Sequence, residues 1–226
     1  MGERREPLRG ARKYIADRLL QSVTSYPQAR GFITVDMSGI LKMKDDYLAD
    51  GKKIAMSAFM IKLIGTALKD FPQLNARIEK NEIIYYDEIN CGIGVDIGTG
   101  LYVVVIKDVA AKSVEQISDE FKSILSKLKE NKLTLDEMTG GTFTLTNFCN
   151  FRPEAFTSII NNDECIIVGI GGIKKQVVVL DNDEIGIRPM CTVIVNMNHA
   201  ITDGKDVHGI MERIYQICED PGSYFA

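Results

Sequence analysis

Between Ser57 and Phe71 the chain carries an almost unbroken apolar run closed by Pro72. It is too long for one strand and has no polar face. As a helix it is apolar around most of its circumference, so it has to be covered on several sides. Ser57 is placed to cap its start and Pro72 to stop it. The covering elements are legible on either side. Ala11, Ile15, Leu19 and Val23 recur at four-residue steps within Leu8–Ser25, an amphipathic helix that Pro27 ends. Gly31–Met37 reads as a strand and Ile40–Leu48 as a short helix. Ser113 and Gln116 form a capping box opening a helix with Ile117, Phe121, Ile124 and Leu128 on one face. Thr134 and Glu137 repeat that signature for a shorter helix. A last helix runs from about Lys205 to Glu219, with Val207, Ile210, Met211, Ile214 and Cys218 inward.

Strands are expected at Ile83–Tyr86, Asn90–Val95 and Leu101–Ile106, the last two joined through the hairpin chemistry of Gly98-Thr99-Gly100. Four more follow at Thr142–Thr146, Cys165–Ile170, Gln176–Leu180 and Met190–Asn198. Some strands arrive as hairpins and others are separated by helices. The fold class is therefore α/β (α+β), a mixed β-sheet flanked by helices. No repeat and no Pro/Gly/Ser linker divides the 226 residues. They read as a charged leader over 1–6 and one domain over 7–226.

Several function classes drop out. With 27 basic and 31 acidic residues the net charge is −4, which supplies no basic field for nucleic acid. The longest apolar runs, such as Leu101–Ile106, fall far short of the roughly 20 residues that cross a bilayer, so no membrane partner is expected. Five cysteines form no C-x-x-C pair, and free thiols without a secretory signal point to the cytoplasm. Two histidines and scattered cysteines make no metal-ligand set. Gly169-Ile170-Gly171-Gly172 leads into a strand and reads as a β-turn, not a phosphate loop.

Chemistry has two candidate places. His199 follows the strand Met190–Asn198, with Asp203 and Gly204 next along the chain. A side chain at a strand end is held by a rigid scaffold yet faces a cleft, and imidazole is the base suited to neutral pH. Two readings stay open there: a general base, or a polar strand end followed by an N-cap at Asp203. His208 is out of phase with the apolar stripe of its helix and reads as a surface residue. The second place is Gly140-Gly141 followed by Thr142–Asn147. Its alternation puts Phe143 and Leu145 on one face and three threonine hydroxyls on the other.

Together these places carry a resemblance. His199-Ala200-Ile201-Thr202-Asp203-Gly204 is similar to the H-x-x-x-D-G signature of chloramphenicol acetyltransferase and of the catalytic domains of dihydrolipoyl acyltransferases, the core components of 2-oxoacid dehydrogenase complexes. Gly140–Asn147 resembles the G-G-T-F-T-[IL]-[ST]-N block of the latter. Pro7–Leu19, Phe32–Asp36, Pro72-Gln73-Leu74-Asn75-Ala76, Gly100–Asp108 and Ser158-Ile159-Ile160-Asn161 also match in order. The usual D-H-R is Asn198-His199-Ala200 here, and Thr146 stands where many members have serine. No lipoyl domain, subunit-binding domain or linker accompanies the match, so an excised core or a stand-alone relative is expected.

The resemblance implies a chloramphenicol acetyltransferase-like, trimeric fold and acyl transfer between coenzyme A, as a substrate, and a dihydrolipoyl group on a separate carrier. It assigns His199 as base, one ring nitrogen held by its own backbone carbonyl, and Thr146 as the hydroxyl that stabilises the developing oxyanion. Asp203 is implied to brace the histidine loop by an ion pair with Arg12 or Arg18, Gly204 allowing the turn. The site is expected between subunits of a homotrimer; the sequence leaves open whether such trimers build a cubic or dodecahedral shell and whether lipoyl-bearing or dehydrogenase components bind it. No metal is implied. The alternatives are a chloramphenicol-type small-molecule O-acetyltransferase and a non-catalytic trimeric scaffold.

Overall fold

The structure, a computed structural model, describes residues 3–98, 100–161 and 164–225. The long apolar helix forms as α3, Met56–Leu68, and all but two of its residues are buried. Its start differs from expectation. Ala55, not Ser57, is the N-cap, and the Ser57 hydroxyl instead accepts a hydrogen bond from Asn147 at 3.2 Å. Lys62, within this helix, is buried; its ammonium donates to the carbonyls of Ala110 and Lys112 at 3.0 and 2.7 Å. Those bonds keep a buried cation tolerable, while burial pulls its pKa down.

Among the described residues, β1 (Gln28–Asp36), β4 (Cys91–Asp96), β5 (Leu101–Ile106), β6 (Phe143–Asn147), β7 (Ile166–Ile170), β8 (Lys174–Val179) and β9 (Ile185–Asn198) make one sheet. Its order is β1-β9-β7-β6-β4-β5, with β8 pairing the first half of β9. The β4/β6 and β6/β7 pairs are parallel and the others antiparallel, so the sheet is mixed as expected. Cys91–Asp96 and Leu101–Ile106 do form a hairpin; Thr99 in its turn lies outside the described residues. β9 begins earlier than Met190 because its first half pairs with β8 rather than ending in a loop. A separate ribbon joins β2 (Ala76–Glu79) and β3 (Glu82–Tyr85).

Helices cover one face of this sheet. Val35, Val193, Val195, Val168, Phe143, Leu145, Ile93 and Val104 point to that side and are buried. They meet α3, α4 (Val114–Lys129) and α5 (Gly204–Glu219). The Ser113/Gln116 capping box is made in full. Thr134 and Glu137 make the same reciprocal bonds, but only a single 3-10 turn, Asp136–Met138, follows. The remaining helices are α1 (Gly10–Ser25), α2 (Ser38–Ala49) and the short α6 (Pro221–Tyr224). Ala11's side chain, the first step of the expected α1 stripe, lies outside the described residues, and Ile15 and Val23 on that stripe are exposed.

The opposite sheet face is covered in its middle by the segment 148–161. Phe148 and Phe156 stack there with centroids 4.4 Å apart. This explains the glycine cluster after β7. A Cβ on Gly171 would come within 2.0 Å of the Glu154 carbonyl oxygen, and one on Gly172 within 2.1 Å of that of Phe151. The glycines admit a close backbone crossing.

Candidate active site

His199 sits in the turn between β9 and α5, its side chain exposed. Its backbone N–H donates to the Pro27 carbonyl at 2.8 Å, and Asn198 beside it donates to the Cys165 carbonyl at 2.7 Å. The fully buried Asn198 side chain accepts from the Ala200 N–H at 3.1 Å. That is an Asx turn, in which a short amide side chain closes the backbone two residues on. An asparagine does here what turn geometry asks, and the imidazole stands on a backbone fixed from both sides. The ring itself makes no hydrogen bond among the described residues, so the bond to its own carbonyl implied by the resemblance is not seen.

Of the two readings open at Asp203, an N-cap or an ion pair with an arginine, the structure shows the cap. Its carboxylate accepts from the Lys205 N–H at 2.9 Å and caps α5, which starts at Gly204. It forms no ion pair with Arg12 or Arg18 among the described residues. Arg12 is exposed and Arg18 half-buried on α1. A short side chain in extended conformation next to a helix start satisfies an orphan N–H locally, and that local bond takes the carboxylate. His208 is exposed, as expected for a residue off the apolar stripe of α5.

Thr146 lies on β6 on the face away from the helices, half-buried. The Ser158 hydroxyl approaches its Oγ1 at 3.4 Å. Ser158 is itself held, because the buried Asn196 side chain on β9 donates to its backbone carbonyl. Gly140, at φ +78°, opens the turn that leads into β6. Thr142 accepts from the Asn90 N–H at 3.0 Å.

Within one chain His199 and Thr146 do not meet. The register aligns Thr146 with Gly169 and Gly169 with Ile194. His199 is five positions farther along β9 than Ile194. At about 3.4 Å per residue and about 4.8 Å per strand spacing, the two groups are roughly 15–20 Å apart. Thr146 is near the C-terminal end of β6 and His199 beyond the opposite end of the sheet.

Two more features bear on the chemistry. All five cysteines are free and buried. Burial pushes the thiols of Cys165, Cys191 and Cys218 up to about 12, and it also raises those of Cys91 and Cys149. The thiol form is not a nucleophile. Among the described residues no group of three or more His, Cys, Asp or Glu side chains is arranged to hold a metal, and no helix is long and apolar enough to cross a membrane.

Comparison with known proteins agrees with this architecture. Residues 1–226 match the model of the 2-oxoacid dehydrogenases acyltransferase (catalytic domain). The chain is 32% identical over 224 residues to the dihydrolipoyllysine-residue succinyltransferase component of the 2-oxoglutarate dehydrogenase complex of Haemophilus influenzae, covering 97% of this chain and 54% of that protein. It is also 32% identical to the lipoamide acyltransferase component of the branched-chain alpha-keto acid dehydrogenase complex of Bacillus subtilis, covering 96% and 53%. The chain thus spans about half the length of these relatives. A probable dihydrolipoamide acetyltransferase from Listeria monocytogenes superposes with a TM-score of 0.89 at 31% identity, covering 96% of this chain and 95% of that one. A chloramphenicol acetyltransferase shares the fold, with a TM-score of 0.58 at 13% identity over 89% and 94%.

Proposed function

The chain belongs to the 2-oxoacid dehydrogenases acyltransferase (catalytic domain) family, and from that premise we propose that it moves an acyl group between coenzyme A and the dihydrolipoyl thiol of a lipoyl-bearing carrier. The observation that carries this reading is the exposed His199 imidazole on a turn whose backbone is pinned to β9 and to Pro27.

A thiol with pKa near 8.5 is mostly protonated at neutral pH, and the thiolate attacks. His199 takes the proton as the bond to the acyl carbon forms, and returns one to the sulfur that leaves. The carbonyl oxygen gains negative charge as its carbon becomes tetrahedral. A fixed hydroxyl donor stabilises that charge, and Thr146 is the residue we assign to it. Both substrate sulfurs are supplied from outside, so the buried high-pKa cysteines take no part and transfer is direct. Asp203 and Gly204 act on the start of α5, and Arg12 and Arg18 carry no step.

The separation of roughly 15–20 Å between the two groups favours a site built from two copies, His199 from one chain and Thr146 from its neighbour. A homotrimer closes such a head-to-tail contact. The β8/β9 hairpin offers surface for it. Its paired residues Val177 and Ile187, and Val179 and Ile185, are 63–79% exposed on one face, more apolar area than a lone ribbon keeps in water. Further assembly of trimers and docking of dehydrogenase components belong to the same reading, as does the cytoplasm, where free thiols persist.

Steady-state assays with acetyl-, succinyl- and branched-chain acyl-coenzyme A decide it. Turnover with dihydrolipoamide and none with chloramphenicol is expected. Transfer to chloramphenicol alone would make the protein an O-acetyltransferase, and transfer to neither would make it a scaffold.

A further inference from the structure

The phrase Pro72–Ala76 takes no part in the chemistry above, yet its side chains reach the histidine turn. The Gln73 amide donates to Asp206 Oδ1 at 2.8 Å. The other oxygen of that carboxylate, Oδ2, accepts from the Thr202 hydroxyl at 2.7 Å. Thr202 is buried and ends the turn that begins at Asn198, whose carbonyl accepts from the N–H groups of Ile201 and Thr202 at 3.0 and 3.3 Å. A second contact locks the same elements together. Gly209 on α5 lies flat against Phe71, where an added Cβ would be 2.5 Å from the ring. One carboxylate thus ties three pieces of chain: the 3-10 turn Pro72–Leu74, the His199 turn and the first turn of α5.

We propose that Asp206, acting through Thr202 and Gln73, is the positioning residue that holds the His199 turn in register with the sheet. The inference rests on the acyl-transfer reading of His199. Asp203, the carboxylate that the H-x-x-x-D-G pattern singles out, touches only its own helix start. Asp206 is the acid whose two oxygens bridge separate elements. Its location suits that role, because negative charge in a first helical turn is favoured by the N-terminal dipole and hydrogen bonds to an ionised acceptor are stronger than neutral ones. Those bonds to Gln73 and Thr202 hold its carboxyl below the usual range, so the bridge is ionised at neutral pH. Because misplacing a reacting group by about 1 Å costs about 10²-fold in rate, a loosened turn is read in turnover.

The test uses the full chain in its native assembly. Asp206→Asn and Thr202→Val should each lower kcat at least about 10-fold with KM for coenzyme A nearly unchanged. Thr202→Ser, which keeps the hydroxyl, should restore the rate. The double variant should be no slower than the slower single one, because both break one bridge. The chain has two histidines, so a His208→Ala background leaves one imidazole for nuclear magnetic resonance. Its ring signal should be a single sharp set, broadened or doubled by Asp206→Asn or Thr202→Val. Wild-type kcat and an unaltered ring signal in both variants would overturn the proposal. If Asp206→Asn does not fold, Thr202→Val, which removes one hydroxyl, decides alone. A parent protein without activity toward dihydrolipoamide would sink the acyl-transfer reading instead, and the ring signal would still decide the positioning.

Discussion

In the proposed acyl transfer His199 and Thr146 carry different loads, and their substitutions separate them. His199→Ala removes the proton acceptor and should lower turnover by at least about 10²-fold with the assembly intact. Full activity in that variant would show that the base is elsewhere. Thr146→Ala removes one donor to the oxyanion and should cost about 10²-fold in kcat with KM little changed, while Thr146→Ser should keep most of the rate. The thiols provide a chemical test at the same scale. Burial holds three of them up to about 12 and raises the other two. Iodoacetamide at pH 8 should therefore modify none of the five in the native protein and all of them after unfolding, as read by intact mass. Rapid labelling of Cys149 in the folded state would contradict its burial beside the Thr146 strand.

Among the elements, α5 and the segment 148–161 are where single residues decide stability. Asp203→Ala deletes the N-cap of α5 and should cost about 1 kcal/mol, a fall of about 2–4 °C in Tm for a domain of this size. A stability unchanged in thermal unfolding would mean the cap adds nothing here. Gly171→Ala should cost more, about 1–3 kcal/mol, because its Cβ would press on the Glu154 carbonyl and lift the segment from the sheet. The same segment bears Ser158, so Gly171→Ala should slow turnover beyond what its loss of stability explains. The capping boxes show how far local sequence reaches. Ser113 and Gln116 open four turns of helix because Ile117, Phe121, Ile124 and Leu128 then find a core to enter. Thr134 and Glu137 make the same bonds and the helix stops after one turn, since no residue of Asp136–Met138 is buried.

For the molecule as a whole, the proposed acyl transfer calls for a second chain, because His199 and Thr146 are roughly 15–20 Å apart within one. Neither His199→Ala nor Thr146→Ala protein should turn over at the parent rate. When the two chains are co-expressed, mixed assemblies contain sites with both groups intact, and activity should return. Absence of recovery in mixed particles verified by mass would place both groups in one subunit's site. The exposed hairpin gives a matching test. Val177→Lys with Ile187→Lys should lower the oligomeric state in sedimentation, since charge on a buried apolar contact costs far more than on an open ribbon.

Local patterns alone determined the existence of the buried helix α3, though not its ends, together with the α4 capping box, the hairpin of β4 and β5 and the mixed class of the sheet, because each depends on residues within a few positions of one another. His199 and Thr146 stood out in the sequence only through the resemblance of their motifs. Tertiary structure decided what those residues face. It chose the cap over the ion pair at Asp203, and it linked the histidine turn to Asp206, whose partners Thr202 and Gln73 are four and 133 positions away. The signal for that bridge was in the Pro72–Ala76 phrase, but spacing along the chain says nothing of a contact made by folding. It also set His199 and Thr146 at opposite ends of the sheet. Outside the hairpins, strand order and the register between strands distant in sequence are fixed only when hydrogen bonds and side-chain burial are satisfied across the whole sheet at once.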